Sequence, residues 1–340
     1  MLHSRLRSLP RKGPRATHKH EHAPNFSNDN NHNEEGEEDE EEEEEEESED
    51  IFSDFLSHLL PDDAHQFHGD PGQLLRYESP LYGPLTIMVP HYPDHDTTAD
   101  QTQTTVDDGR RLFAHFLWSS ALVVAQGVED ADADAKGAVS NGNNNDNTNI
   151  GMWNVKGHRV LELGAGAGLP SIISALASAS HVTITDHPSS PAFLGAIEYN
   201  TMRNVPASIR LNIESMPHEW GTLGDDDFSR QNRGQFTRII AADCLWMLHQ
   251  HENLVRTLLW FLSEGGKREG APTTTTSPDD SGSTSGYHDQ EGKEDGEEEG
   301  RVWIVAGFHT GRAIVAHFFE TAVAMGLEIE SIYERDILSM

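Results

Sequence analysis

The sequence predicts an α/β fold, a doubly wound and mainly parallel sheet, on three observations. From residue 157 onward, short apolar runs of strand length alternate with stretches of helical period. That order builds a parallel sheet covered by helices on both faces. Next, the apolar run 160–163 passes into Gly164-Ala165-Gly166-Ala167-Gly168-Leu169-Pro170. Glycines at alternate positions let the backbone turn sharply and approach a ligand that a Cβ would block, and Pro170 suits a helix start because its missing N–H would be unpaired there anyway. Finally, Asp186 closes the following strand, 22 residues after Gly164, at the sheet edge where such folds take their ligands.

Taken in order, residues 1–50 are expected to form a disordered tail. They begin basic and free of acid (Arg5, Arg7, Arg11, Lys12, Arg15, Lys19), and from Glu34 to Asp50 fifteen of seventeen residues are acidic. Such a run repels itself and stays solvated. Pro10 and Pro14 interrupt the basic part, so a tail is favoured over a transit peptide. Residues 51–128 are expected to add a helix at 51–60, a hairpin with strands at 73–78 and 85–90, a polar loop at 94–108 and a helix at 110–128, all packing on the core. Residues 129–149, rich in Asp, Asn and Gly, are expected as a low-complexity insert.

The core spans 150–340. Its strands are expected at 159–163, 181–185, 209–213, 236–242, 302–308 and 327–333, and its helices at 171–178, 191–202, 252–263 and 313–325. A second insert of biased composition interrupts it at 265–300. The polar excess lies in the tail and inserts, and about 200 residues remain for one well-buried domain.

The bulk numbers limit the function classes. The net charge is −34, which speaks against a nucleic-acid partner, since phosphate backbones are bound by cations. A single cysteine, Cys244, permits no disulfide framework and fits a reducing compartment, and no apolar run reaches the ~20 residues that span a bilayer. A cytoplasmic, monomeric protein is the expectation. The acidic tail reads as a solubility device or as a lure for a basic partner.

A dinucleotide loop wants a last glycine where Leu169 stands. Instead, Glu162 lies two residues before Gly164, an acidic-x-Gly-x-Gly-x-Gly pattern that suits S-adenosylmethionine. The acid favours its cationic groups and the loop N–H groups favour its carboxylate. Asp186 then takes the ribose hydroxyls, or merely caps a turn before Pro188. Asp243-Cys244-Leu245-Trp246 ends the fourth strand at the same edge, and Asp243 is the candidate catalytic residue, holding an acceptor amine in line. Trp118 is either a core aromatic or a wall of the cofactor site. Trp220 either stacks an adenine or lies plainly on the surface. Cys244 reads as inert. His249 and His251 lack a third ligand at sensible spacing, so capping is expected there and no metal site.

Leu161-Glu162-Leu163-Gly164-Ala165-Gly166-Ala167-Gly168-Leu169-Pro170, Thr185-Asp186, Glu219-Trp220-Gly221, Asp243-Cys244-Leu245-Trp246 and Gly307-Phe308-His309-Thr310-Gly311-Arg312 follow one another in this order. Together they resemble family 16 of the seven-strand, class I (Rossmann-like) methyltransferases, in the fungal nicotinamide N-methyltransferase-like branch that includes the N-terminal and lysine methyltransferase of elongation factor 1A. The resemblance implies S-adenosylmethionine as cofactor and Trp118, Gly164, Ala165, Gly166, Asp186, Trp220 and Ala242 as its contacts. It places Asp243 at the mouth of the acceptor channel. Trp246 stands where the family's Asp-x-x-Tyr has its tyrosine, which keeps an aromatic wall and loses the phenol. The family's seventh strand would follow the sixth and has no counterpart before Met340.

The expected function is methyl transfer from S-adenosylmethionine to a protein lysine or N-terminal amine, on a substrate such as a basic translation factor. The alternatives are a small-molecule N-methyltransferase acting on nicotinamide-like rings, and a non-catalytic binding module on the same fold. An NAD-dependent oxidoreductase ranks last because Leu169 breaks its loop.

Overall fold

In the computed structural model, which describes residues 2–9, 67–92, 113–137, 150–263 and 300–335, five short strands precede the main sheet. They are β1 (Leu6–Ser8), β2 (Phe67–His68), β3 (Leu74–Ser79), β4 (Gly83–Met88) and β5 (Leu117–Trp118). β3 and β4 form the expected antiparallel hairpin. β1 adds a third strand to it, although it lies in the range expected as a disordered tail. The N-terminal cations explain the docking. Arg5 Nη1 lies 3.0 Å from Glu129 Oε2, which also accepts the Tyr77 hydroxyl at 2.8 Å.

Glu129 belongs to α1 (Ser119–Ala135). The helix expected at 110–128 therefore starts later and runs on into the range 129–149 expected as an insert. Its acidic end is helical because Glu129 and Asp132 are buried against hairpin tyrosines: Tyr82 donates to Asp132 Oδ2 at 2.5 Å. Trp118 is thus the residue before the helix, in extended conformation and paired with Phe67 across β2 and β5, not mid-helix. The helix expected at 51–60, the loop at 94–108, the polyacidic run and residues 265–299 lie outside the described residues.

The core continues with β6 (Arg159–Leu163), α2 (Leu169–Leu176), β7 (His181–Asp186), α3 (Ala196–Asn204), α4 (Ala207–Arg210), β8 (Ile213–Pro217), α5 (Asp227–Gln231), β9 (Arg238–Ala242), α6 (His251–Phe261), β10 (Arg301–Val305) and α7 (Arg312–Ala324). The main sheet is parallel throughout, in the order β10-β9-β6-β7-β8. Alternate residues of each central strand feed two cores, as the two-residue strand period requires. Val160, Ile184, Ile240 and Trp303 pack with α1, α2 and α3 on one face. Leu161, Leu163, Ile239 and Ala241 pack with α6 and α7 on the other. The doubly wound α/β fold is the one expected.

Two strands depart from expectation. The strand expected at 209–213 is displaced to β8, because Pro206 starts a helical turn over 207–210. β8 is an edge strand whose Glu214 carboxylate pairs with His181 and Thr183, so it lacks the continuous apolar run of a central strand. The sixth strand expected at 327–333 does not form: those residues are irregular and leave Ile329, Ile332 and Tyr333 exposed. Among the described residues the sheet has five strands, and β10 pairs with β9 alone.

The hairpin is locked to the core by two asparagines one helical turn apart on α3. Asn200 Oδ1 accepts the Met88 N–H at 2.6 Å, while its amide donates to the carbonyls of Met88 (3.0 Å) and Ala167 (2.9 Å). Asn204 makes the equivalent pair with both backbone groups of Thr86, at 2.8 Å each. Side-chain amides thus replace a strand partner for β4, and one of them reaches the glycine loop.

Candidate functional site

A cleft opens at the carboxyl ends of β6, β7 and β9, the edge at which open α/β sheets take their ligands. Its floor is the glycine loop. Gly164, Gly166 and Gly168 have φ of 62°, 52° and 70°, left-handed values that glycine adopts without penalty. A Cβ on Gly164 would lie 2.8 Å from Cys244 Sγ, whereas one on Gly166 meets no atom within 4 Å. Gly164 is thus needed for close packing beneath the loop, and Gly166 for the open space above it.

Asp186 holds the loop from the side. Its Oδ2 accepts the Gly166 N–H and its Oδ1 accepts the His187 N–H, both at 2.7 Å. The residue lines the cleft with Gly164, Gly166, Trp118, Trp220, Ala242 and Asp243. Seven of the nine residues expected at the site therefore converge.

Glu162 and Ala165 do not line the cleft. Glu162 is almost fully buried and shares the β6 face of Val160, under α2. Its Oε2 accepts the Ser171 N–H at 3.0 Å. Helix α2 begins at Gly168, which has no capping side chain, so Glu162 supplies the acceptor that an N-cap residue would give. Burial pushes its carboxyl up to about 8. Near neutral pH it is a held acid rather than an anion facing the cofactor's cationic groups. Ala165 contributes its N–H to the Thr185 carbonyl at 3.0 Å and so shapes the loop from behind.

At the β9 end of the cleft, Asp243 follows the last residue of the strand with φ of 60°, a strained conformation for a residue with a side chain. It is held there from the end of β10. Its N–H donates to the Val305 carbonyl at 2.7 Å, and its Oδ1 accepts the Gly307 N–H at 3.3 Å. Burial raises its carboxyl above the usual range, opposed by His309, the Gly307 N–H and the Ser120 hydroxyl. Aromatic rings wall this end. Phe113 lies 4.9 Å from Trp246 and 5.9 Å from Trp118 between ring centroids, and all three line the cleft.

Cys244 is buried and its thiol donates to the Leu163 carbonyl at 3.3 Å. Burial and the acids nearby push its pKa well up, which keeps it a protonated packing group. His251 does not cap a helix. Its Nε2 donates to the Leu245 carbonyl at 2.8 Å and its Nδ1 lies 2.9 Å from His317 Nδ1. Among the described residues, no three His, Cys, Asp or Glu groups gather as a metal site, and no helix is long and apolar enough to cross a membrane.

Sequence reasoning missed Phe113, which lines the cleft, and His309, which stacks on Trp118. Phe113 fell inside a misplaced helix. His309 appeared only as one letter of the stretch 307–312, although a histidine directly after the strand expected at 302–308 was a usable signal.

The walls fit S-adenosylmethionine. A carboxylate stands at the β7 end, Trp220 offers a flat ring, and the loop leaves the space above Gly166 open. A family model described as lysine methyltransferase matches residues 98–267, half of the chain. A protein N-terminal and lysine N-methyltransferase, EFM7, of Cryptococcus neoformans var. neoformans serotype D (strain B-3501A) is 32% identical over 120 residues, covering 35% of this chain and 40% of its own length. The corresponding protein of Schizosaccharomyces pombe is 27% identical over 174 residues, covering 50% and 57%. The protein-lysine methyltransferase METTL21E of Bos taurus is 30% identical over 156 residues, covering 46% and 45%. The chain spans about half the length of the curated relatives it matches. Among solved structures, a putative S-adenosyl-L-methionine-dependent methyltransferase of Methanococcus maripaludis overlaps with a TM-score of 0.33 at 10% identity, covering 67% of this chain and 75% of its own. The family match takes in the glycine loop, Asp186, Trp220 and Asp243 together, and the chain belongs to methyltransferase family 16, the lysine methyltransferases.

Proposed function

We propose that the chain transfers a methyl group from S-adenosylmethionine to a protein amine, a lysine side chain or an N-terminal amine. The observation that carries this reading is the position of Asp243, a buried acid at the end of β9, beside the glycine loop and inside the walls of Phe113, Trp118 and Trp246. When bound, the cofactor supplies an activated methyl group on its sulfonium. Everything else falls to the protein. Asp186 would hold the cofactor's ribose, the open space above Gly166 would admit its amino-acid part, and Trp220 would cover its base. The aromatic walls attract a cationic ammonium and exclude water. Asp243 orients that ammonium and receives its proton, since only the neutral amine is a nucleophile. Fixing two reactants in line supplies much of the rate in such a displacement.

The names of the relatives support a protein acceptor. The −34 charge of the chain supports a basic one, such as a translation factor, met by a cytoplasmic monomer. A second reading, methylation of a nicotinamide-like ring, is favoured by the same aromatic walls, which would stack a flat heterocycle. Tritiated S-adenosylmethionine, supplied with cell lysate and in parallel with nicotinamide, separates the two. The protein reading expects label in a protein band. Label in the small-molecule fraction alone reverses it, and no label in either removes the enzymatic reading.

A further inference from the structure

We propose that His309 is a positioning residue of the transfer site, holding the Asp243 carboxylate and the Trp118 indole in one fixed arrangement so that Asp243 meets an incoming ammonium as an anion. The inference rests on the reading of Asp243 as the acceptor-side acid. His309 Nδ1 lies 3.7 Å from Asp243 Oδ1, with the two side chains 3% and 5% exposed. The His309 ring stacks on Trp118, 4.7 Å between centroids and 24° between planes. Trp118 and Asp243 both line the cleft and His309 does not, so it acts through them.

Three elements converge on this arrangement. Trp118 precedes α1, and its indole N–H is tied to the Phe113 carbonyl at 3.0 Å. Asp243 follows β9 in its strained conformation. His309 comes from the turn after β10, the strand whose end pins the Asp243 backbone. A left-handed, non-glycine residue persists only where its surroundings over-determine it, and here the surroundings fix a carboxylate at the mouth of a cleft.

Charge explains why an imidazole is needed. A carboxylate taken out of water takes up a proton unless a partner compensates it. A protonated Asp243 could neither anchor an ammonium nor accept its proton. The groups that oppose burial at Asp243 are His309, the Gly307 N–H and the Ser120 hydroxyl from α1, and His309 is the foremost of them. The other buried acids, Asp186 and Glu162, act on the Cys244 thiol alongside Asp243. The one guanidinium on the same turn, Arg312, lies over the Phe308 ring and pairs with Glu334. A protonated imidazole at this range typically lowers a carboxyl pKa by about 1–3.

The test compares the full chain with His309→Phe, which keeps a flat ring on Trp118 and removes the nitrogen atoms, and with His309→Gln, which removes the ring. The Asp243 carboxyl is followed by carbon NMR across pH, its resonance assigned with Asp243→Asn. Circular dichroism identifies which variants fold. In His309→Phe, the Asp243 midpoint should move to higher pH by about one unit or more. The acid limb of the methyl-transfer rate should move with it, while S-adenosylmethionine affinity by calorimetry stays unchanged. His309→Gln should show the same midpoint shift with weaker cofactor binding, because Trp118 loses its support. An unchanged Asp243 midpoint in whichever variant folds overturns the proposal. If the parent protein methylates no acceptor, the functional reading fails by itself, and the NMR midpoint still decides the role of His309.

Discussion

Glu162 and Ser171 form the hidden brace of the cofactor loop: the carboxyl of one, at the end of β6, accepts the backbone N–H of the other at 3.0 Å in the first turn of α2. Five loop positions, 164–168, separate the strand from the helix, and this bond spans them. Because burial pushes the Glu162 carboxyl up to about 8 from the 4.5 of a free glutamate, the folded protein keeps this proton over a range in which the unfolded chain has released it. Between those two values the native state binds more protons. Stability therefore falls as pH rises, and the dependence ends above the folded value. Glu162→Gln keeps an acceptor for Ser171 and has no proton to lose. In denaturant titrations it should match the parent near pH 5 and hold its midpoint as the parent declines toward pH 8. Parallel decline in both proteins would place the pH dependence elsewhere. Glu162→Ala, by contrast, leaves the Ser171 N–H buried without its partner and should cost about 1–3 kcal/mol near pH 5, a deficit that narrows as the parent declines toward pH 8.

The loop was legible in the sequence because its chemistry is local. Glycines with positive φ, a proline at a helix start and an acid closing the next strand all lie within 162–186. The same local pattern misassigned Glu162. Strand alternation puts it on the face of Val160, and only the packing of α2 decides whether that face is cleft or core. Helix α1 was misplaced for a related reason. Composition marks 129–137 as loop, yet Tyr77, Tyr82 and Arg5, distant in sequence, give Glu129 and Asp132 their partners. His309 and Phe113 come from segments about 195 residues apart and meet at the site only through the sheet order.

Asp186 carries two functions that a single substitution separates. Its carboxylate braces Gly166 and His187 and, in the proposed site, accepts the ribose hydroxyls. Asp186→Asn retains an oxygen for the Gly166 N–H but loses the charge and one of the two acceptors. Hydrogen bonds to charged groups contribute about 1.5–3 kcal/mol each, so S-adenosylmethionine affinity should fall roughly 10- to 100-fold by that measure. The thermal midpoint should fall only by what the lost His187 N–H bond contributes. Calorimetric affinity equal to the parent's would remove Asp186 from the cofactor site.

Gly164 and Gly166 should respond to alanine in opposite ways, although both have positive φ. At Gly164 the new methyl meets Cys244 Sγ at 2.8 Å, and that sulfur is held by the Leu163 carbonyl beneath the loop. Strain and overpacking add there, so Gly164→Ala should lose about 2–4 kcal/mol of stability. At Gly166 the methyl enters open space and only the backbone cost of about 1–2 kcal/mol applies. That space is where the cofactor is expected to lie. Gly166→Ala should therefore remain folded and lose S-adenosylmethionine binding at least tenfold, a loss visible by calorimetry on protein whose melting curve stays cooperative. A Gly166→Ala protein that binds the cofactor as the parent does would show that the ligand passes elsewhere along the cleft. A Gly164→Ala protein as stable as the parent would show that the sulfur beneath the loop yields.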